Sequence, residues 1–132
     1  MALKLLLVTP ERQVVDADAD LVELPGAEGY LGILPGHAAL ITLLKTGVLS
    51  FRGGGRSQAY AVSSGLAEIL EDRVSVLADS AEAPSEVDVA AAEAEKSRAE
   101  TEMKTAGADT LDAIRSRLEL AEARLSVARR PS

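Results

Sequence analysis

Three aspartates spaced two residues apart are the first side chains in the sequence that suggest chemistry. Asp16, Asp18 and Asp20 begin a segment as an EF-hand calcium loop begins, with carboxylates at alternate positions. A calcium loop also needs a glycine at its sixth position and a glutamate at its twelfth, and here those positions hold Leu21 and Ala27. The pattern therefore favours the solvent-exposed face of a strand, where side chains two residues apart point the same way.

The other reactive groups do not form a catalytic motif. The triple glycine at 53–55 lacks the Lys-Ser/Thr ending of a phosphate-binding loop. His37 is the single histidine, the chain has no cysteine, and no nucleophile lies near His37 in sequence. Glu93, Glu100 and Glu122 offer carboxylates without histidine partners. We therefore predict no catalytic residue, no metal site and no cofactor, and we expect a protein that is not an enzyme.

Composition excludes two further classes of function. The chain has 132 residues and a net charge of −7, whereas a nucleic-acid-binding domain needs a basic surface. No apolar run approaches the roughly 18 residues of a membrane span. We expect a soluble, cytoplasmic protein that binds no nucleic acid and does not insert into a membrane.

Two Pro-Gly pairs frame the most distinctive segment. Pro25-Gly26 and Pro35-Gly36 predict tight turns, because proline presets the backbone at one turn position and glycine accepts positive φ at the next. The apolar runs that accompany them, 30–34 and 38–44, are short and predict strands. A turn-rich segment with this many glycines is expected to serve a contact.

The first part of the chain predicts about ten short strands in an antiparallel β-sandwich. The triple glycine joins two of these strands in a hairpin. The strand at 3–8 is apolar on both faces, as in the interior of a packed sheet. The other predicted strands outside the Pro-Gly segment cover residues 13–24, 48–52, 57–62, 66–70 and 74–78.

After residue 84 the pattern becomes helical. Ser85 and Asp88 predict the start of a first helix that continues to about residue 106 and stops at Gly107. Asp109 or Thr110 is expected to cap a second helix. The short linker predicts an antiparallel hairpin. We therefore divide the chain into a β-sandwich domain, residues 1–84, and a helical hairpin, residues 85–132.

The second helix carries an apolar seam at spacings of three and four residues. The seam residues expected to act in regulation are Leu111, Ile114, Leu118 and Leu125. Facing alanines on the first helix bury little apolar area, so the hairpin is expected to open or to leave the β domain. This seam is also expected to be the sole apolar surface of the tail able to bind a new partner.

The sequence from Gly29 to Ala38, Gly-Tyr-Leu-Gly-Ile-Leu-Pro-Gly-His-Ala, is the strongest family signature. Together with 44–49, 64–69 and 74–79, it closely resembles the epsilon subunit family of bacterial and chloroplast F-type ATP synthases. The resemblance covers nearly the whole chain. It implies a β-sandwich followed by a helical hairpin.

The resemblance also implies a function and a location. Family members are central-stalk rotor subunits that couple rotation of the membrane proteolipid ring to the gamma subunit and the catalytic head. Their tail can extend along gamma to the alpha/beta head and inhibit ATP hydrolysis. The resemblance implies a peripheral protein on the cytoplasmic face of the bacterial inner membrane.

Site residues follow from matching positions. Glu28, Gly29 and Tyr30 match the ring contact of the family, and Gly36, His37 and Ala38 match the segment facing gamma. A third group matches the ATP site that some bacterial relatives have on the folded hairpin. Here Glu82, Asp88 and Arg98 remain, whereas the motif arginine is replaced by Ala91. Loss of that charged donor predicts weak or absent ATP binding.

Two alternatives stay open on the sequence alone. One is a free-standing, non-catalytic β-domain adaptor that belongs to no rotor, which is distinguished by whether a gamma-like coiled coil co-purifies. The other is a small-molecule enzyme of sandwich fold, which the missing cysteine, metal and histidine arrangements disfavour.

Overall fold

The computed structural model describes residues 2–130 and in that range shows ten strands followed by two helices. Met1, Pro131 and Ser132, which the predicted domains include, lie outside the described residues. The strands are β1 (Leu3–Val8), β2 (Gln13–Ala19), β3 (Leu21–Gly26), β4 (Gly29–Ile33), β5 (Leu40–Leu44), β6 (Gly47–Gly53), β7 (Arg56–Val62), β8 (Gly65–Leu70), β9 (Arg73–Ala78) and β10 (Ala81–Glu82).

The strands form one continuous sheet that folds into two layers. Its order is β10-β7-β6-β3-β5-β8-β9-β1-β2, and β4 pairs with β3 beside this path. Strand β3 joins the layers, because it pairs with β6 at Val22 and with β5 at Gly26. The predicted β-sandwich of about ten short strands, followed by two helices, is confirmed.

Apolar side chains from both layers meet in one core. Strands β1, β8 and β9 supply one side and strands β3 and β6 the other. Complete burial of a leucine or valine contributes roughly 1.5–3 kcal/mol, so this core accounts for most of the stability of the β domain. The largest fully buried side chains of the β domain are Leu3, Leu5, Leu7, Val22, Leu24, Ile33, Leu49, Val62, Ile69, Val74 and Val76.

One pairing departs from the predicted antiparallel sheet. Strand β1 pairs antiparallel with β2 but parallel with β9, from Lys4 opposite Arg73 to Val8 opposite Leu77. The two strands are far apart in sequence, so no short turn constrains their relative direction. The sequence pattern gave no local signal for this choice.

The single strand predicted at 13–24 is wrong, because the chain changes layer within it. β2 ends at Ala19 and pairs with β1, whereas β3 begins at Leu21 and pairs with β6. Asp20 lies at the break, where its amide donates to the Arg52 carbonyl oxygen at 2.6 Å. Asp16 and Asp18 therefore share a strand face, and Asp20 does not.

The first Pro-Gly pair is not a turn. Pro25 and Gly26 are the last residues of β3, in register with Tyr30 and Gly29, so the turn consists of Ala27 and Glu28. The Pro25 carbonyl oxygen accepts the Lys45 amide at 2.7 Å. A proline is tolerated at this strand end because its position need not donate a ladder hydrogen bond.

The second Pro-Gly pair does form a turn, and the triple glycine does join a hairpin. Gly36 has φ +87°, and the His37 amide donates to the Leu34 carbonyl oxygen at 3.1 Å. Between β6 and β7, Gly54 and Gly55 have φ +61° and +77°, as a type I′ hairpin turn requires.

Helix α1 is shorter at both ends than predicted. A short 3-10 helix (Pro84–Glu86) precedes α1 (Val89–Met103), and α2 spans Ala108–Ala128. Ser85 lies within the 3-10 helix, so the N-cap of α1 is Asp88, whose Oδ1 accepts the Ala91 amide at 3.0 Å. After Met103 the backbone tightens into i to i+3 hydrogen bonds, which end the helix before Ala106.

Helix α2 begins two or three residues earlier than predicted. Its N-cap is Gly107 rather than Asp109 or Thr110, because the Gly107 carbonyl oxygen accepts the amides of Thr110 and Leu111 at 3.1 Å each. Within residues 2–130, no helix is long and apolar enough to cross a membrane.

The hairpin lies against the β domain. Helix α2 packs on β6 and β7 through a second, smaller apolar cluster. The members of this cluster are Val48, Ala59, Ala61, Ala123 and Val127. Small side chains predominate, so the contact is close but buries little area.

Candidate functional site

Four apolar side chains form an exposed row across the outer face of the sheet. Leu43, Leu66 and Leu77 are opposite one another on β5, β8 and β9, and Val8 continues the row on β1. The leucines are 65%, 39% and 55% exposed. We call these four residues the apolar row. Large contiguous apolar surfaces are uncommon on monomeric proteins and mark interaction sites.

The row was missed by the sequence analysis, although a signal for it existed. Strand β1 is apolar on both faces apart from Lys4, which predicts packing inside a sheet, and β5 also has apolar residues on both faces, from which no prediction was made. The inner face of β1 is buried as expected, but Ile41 and Leu43 of β5 face outward and are each 65% exposed. Apolar residues on both faces of a strand predict that both faces are covered, and on this face residues 2–130 supply no cover.

Close packing between the backbones of β8 and β9 holds two residues of the apolar row in place. A Cβ atom built on Gly65 would lie 1.8 Å from the Leu77 carbonyl oxygen, so no other residue fits there without moving β8 away from β9. Gly65 therefore keeps Leu66 and Leu77 side by side.

The residues predicted to contact the ring lie at the turn between β3 and β4. Glu28 and Gly29 are exposed, and Gly29 has φ +133°. Tyr30 is 63% exposed, yet its hydroxyl oxygen accepts the Val48 amide at 2.9 Å. A Cβ on Gly47 would lie 2.6 Å from that hydroxyl. The absence of a side chain at Gly47 therefore leaves room for the aromatic ring of Tyr30. Tyr30 thus links β4 to β6 as well as presenting its ring to solvent.

The residues predicted to face gamma lie at the other end of β4. The Gly36 amide donates to Asp72 Oδ1 at 2.7 Å, which ties this turn to the β8–β9 turn. His37 is half-buried, with Nδ1 2.7 Å from the Ala38 carbonyl oxygen. The structure therefore places the two predicted groups of three residues at opposite ends of a strand and does not bring them into one site.

Glu82, Asp88 and Arg98 line a single cleft of about 520 Å³ between the linker and the two helices. Each already has a partner within the chain. Glu82 Oε1 accepts from Arg124 Nε at 2.5 Å, Arg98 donates to Glu95 at 2.6 Å, and Asp88 caps α1. Ala91 also lines the cleft and offers no side-chain donor.

The predicted seam on α2 is divided between burial and partial exposure. Ile114 and Leu125 are buried, whereas Leu111 and Leu118 are half-buried. The prediction that the seam is the sole apolar surface of the tail is wrong, because Ala123 and Val127 form a second surface, the one on β6 and β7. The periodicity that predicted the seam applies to one face of α2 and gives no information about the other face.

The aspartates of β2 behave as a solvated strand face. Asp16 and Asp18 each lie 3.6 Å from Lys4 Nζ on the neighbouring strand. Across residues 2–130, no cluster of three or more His, Cys, Asp or Glu side chains has a geometry suited to a metal ion.

Two family models together match almost the whole chain. Residues 2–84 match the ATP synthase delta/epsilon chain β-sandwich domain, and residues 85–128 match the long α-helix domain of the same chain. The chain belongs to the ATP synthase delta/epsilon chain family. The family expected from the sequence motif is thereby confirmed.

Bacterial relatives of this family align with about two thirds of the chain. An ATP synthase epsilon chain of Koribacter versatilis is 49% identical over 84 residues, which cover 64% of this chain and 59% of the relative. One from Solibacter usitatus is 47% identical over 87 residues, covering 66% and 65%. The chain spans roughly three fifths of the length of these relatives.

Solved structures share the fold of the whole chain. A chain of the Euglena gracilis mitochondrial ATP synthase, solved by cryo-EM as OSCP/F1/c-ring, has a TM-score of 0.83, with 21% identity over 96% of this chain and 81% of that one. A chain of the Tetrahymena thermophila mitochondrial ATP synthase central stalk and c-ring has a TM-score of 0.65, with 15% identity over 96% of both.

Proposed function

We propose that this protein is the epsilon subunit of a proton-translocating F-type ATP synthase. It is a non-catalytic rotor subunit that couples rotation of the proteolipid ring to the catalytic head. It works as a peripheral protein on the cytoplasmic face of the bacterial inner membrane. Membership of the delta/epsilon family supports this proposal, and the exposed apolar row is the structural observation that carries it.

The apolar row is the docking surface for the gamma subunit. A rotor subunit must transmit torque, which requires a rigid body fixed to its neighbour over an apolar contact that excludes water. The row lies on a fully paired sheet rather than on a loop, so its side chains hold their positions. The gamma contact continues at the turn that contains Gly36, His37 and Ala38. This turn lies at the opposite end of β5 and β8 from the apolar row.

Glu28, Gly29 and Tyr30 contact the proteolipid ring. This turn projects from the opposite end of β4, where Glu28 offers a charge and Tyr30 an exposed ring. The separation of the two groups along the strand suits a subunit that lies between two partners.

The docking proposal is tested by charge substitution in the apolar row. Leu43→Glu and Leu77→Glu should leave the isolated chain folded, since both side chains face solvent, but should abolish co-purification with gamma and the ring from native membranes. Val89→Glu is the matched control, because Val89 is 40% exposed on α1, away from the row. Normal recovery of gamma with both row variants would contradict the proposal and favour a free-standing adaptor.

The helical tail inhibits ATP hydrolysis by extending from the β domain to the alpha/beta head. The apolar seam of α2 then leaves α1 and packs against a new apolar partner. The seam residues are Leu111, Ile114, Leu118 and Leu125. Removal of residues 110–132 should raise ATP hydrolysis by the detached catalytic complex and leave synthesis roughly intact. Unchanged hydrolysis would show that this tail does not inhibit.

The cleft at Glu82, Asp88 and Arg98 binds ATP weakly or not at all. Its charged groups are engaged with one another, and Ala91 provides no donor for a phosphate. Calorimetry of the isolated chain with ATP should give no heat of binding in the micromolar range, whereas Ala91→Arg should raise the affinity by about tenfold or more. Ala91→Lys controls for added charge without the planar fork. Micromolar binding by the unaltered chain would contradict this assignment.

A further inference from the structure

The apolar contact between the two helices is small. In α1 the buried residues are Ala92 and Ala99, and opposite them α2 supplies Ile114, Ala121 and Leu125. An alanine methyl group buries far less area than a leucine side chain, so this seam contributes little cohesion. Alanines also do not fix how far one helix slides along the other.

Arg117 of α2 spans two carboxylates of α1. Its Nε donates to Glu95 Oε1 at 2.6 Å, and its Nη2 and Nη1 donate to the two oxygens of Glu102 at 2.7 and 3.2 Å. A guanidinium held in this fork has a defined orientation and forms strong, charge-assisted hydrogen bonds. The hydrogen bonds that Arg117 donates to Glu102 and Glu95 raise the pKa of Arg117 well above its ordinary value.

Arg124 connects the same helix to the β domain. Its Nε donates at 2.5 Å to Glu82, which lies on β10. The side chains of Arg124 and Glu82 are 33% and 25% exposed, so solvent screens this pair less than an ordinary surface pair. Seven residues separate Arg117 from Arg124, which is close to two helical turns and places both on one side of α2.

We propose that Arg117 and Arg124 form an ionic latch that holds the hairpin closed. Arg117 fixes the register of α2 on α1, and Arg124 fixes α2 on the β domain. The closed state is therefore stabilised by charge inside the chain, without a bound ligand, and opens more readily as ionic strength rises. Its use as a regulatory switch rests on the proposed function, but the latch itself is a property of the isolated chain.

Hydrogen exchange of the full-length chain tests the latch. Raising NaCl from about 0.01 M to about 1 M shortens the Debye length from about 30 Å to about 3 Å. Exchange of the α2 amides should then accelerate roughly two- to fivefold, the range expected for ion pairs of this exposure. The amides of β1 and β9, strands that are paired on both sides within the sheet, serve as the internal reference.

The variant series separates the latch from general charge effects. Arg117→Gln combined with Arg124→Gln should make α2 exchange fast at low salt and remove most of its salt dependence. Arg115→Gln is the matched control, because Arg115 lies on the same helix but pairs with Asp112 of its own helix at 3.6 Å. Exchanging the charges in Arg124→Glu with Glu82→Arg should restore part of the protection that either single change removes.

Two outcomes would overturn the proposal. One is a double variant with the protection and salt response of the unaltered chain, and the other is an equal effect of Arg115→Gln. If the variants open in isolation but hydrolysis by the assembled enzyme does not change, the latch stands and the inhibitory role of the tail fails.

Discussion

At the scale of single residues, glycines set how closely the strands approach. Gly65 is required by space, since a Cβ there would lie 1.8 Å from the Leu77 carbonyl oxygen, whereas a Cβ on Gly47 would meet only the Tyr30 hydroxyl closer than 3.0 Å. Gly29 and Gly36 are required by backbone conformation instead, because a Cβ there would meet nothing within 4 Å but φ is positive. Glycine is therefore required for two different physical reasons, close approach of a neighbouring strand and positive φ.

Gly65→Ala should destabilise the β domain by at least about 2 kcal/mol, because the added methyl group must displace the backbone of β9. Urea denaturation measures the free energy of unfolding. Gly32→Ala is the control, since a Cβ there would lie 4.0 Å from its nearest neighbour, Cδ1 of the Leu21 side chain. Equal stability of the two variants would contradict the close packing.

Gly36→Val should cost about 1–3 kcal/mol through backbone strain alone, because a β-branched residue rarely adopts φ near +87°. It should also weaken assembly with gamma, since it distorts the turn that carries His37. Gly36→Asn, which tolerates positive φ better, should retain more stability and more gamma in a co-purification. A valine variant as stable as the asparagine variant would argue against strain.

At the scale of elements, ion pairs add to the small apolar contacts between the hairpin and its neighbours. The segment between β10 and α1, which contains Glu86, is also held by an ion pair. Arg12, in the β1–β2 turn, donates to both oxygens of Glu86 at 3.1 and 2.9 Å, and Glu86 also accepts the Ala83 amide. The hydrogen bond from that amide, followed by the one from Arg12, lowers the pKa of Glu86.

The pKa of Glu102 is also lowered, chiefly by its hydrogen bond from Arg117. A carboxyl whose folded pKa is depressed contributes stability above its unfolded pKa and loses it as pH falls through the folded value. Protection of α2 should therefore fall as pH drops below about 4.3, the ordinary pKa of glutamate. NMR titration of the Glu102 carboxyl should show the lowered pKa, and Arg117→Gln should return it to the ordinary range. A Glu102 pKa unaffected by that change would contradict the pairing.

At the scale of the whole molecule, the β domain is a rigid body with its own core, and the hairpin rests on it through small side chains. Folding of the β domain without the hairpin remains a prediction. The main core contains no helix residue, whereas the cluster shared with α2 contains three alanines and two valines.

The fragment 1–84 should unfold in a single cooperative thermal transition. Its Tm should lie below that of the full chain, since Val48, Ala59 and Ala61 become exposed. Each 1 kcal/mol lost from the free energy of unfolding lowers the Tm by about 4–8 °C for a domain of this size. Differential scanning calorimetry measures both transitions. Ala123→Glu in the full chain should shift its Tm toward that of the fragment, because it places a charge in the same contact. A fragment without a cooperative transition would contradict the two-part organisation.

The sequence by itself determined the order of strands and helices, the hairpin at Gly54-Gly55, the turn at Gly36 and the family, because these depend on residues close together in the chain. It also indicated the cleft residues Glu82, Asp88 and Arg98, through a motif. The tertiary structure decided what depends on distant partners: the parallel pairing of β1 with β9, the change of layer at Asp20, and the outward face of β5 that forms part of the apolar row. It also decided that Arg117 and Arg124 pair with carboxylates 15 to 42 residues away. Periodicity tells which residues share a face of an element, but only the packing of elements determines what that face meets.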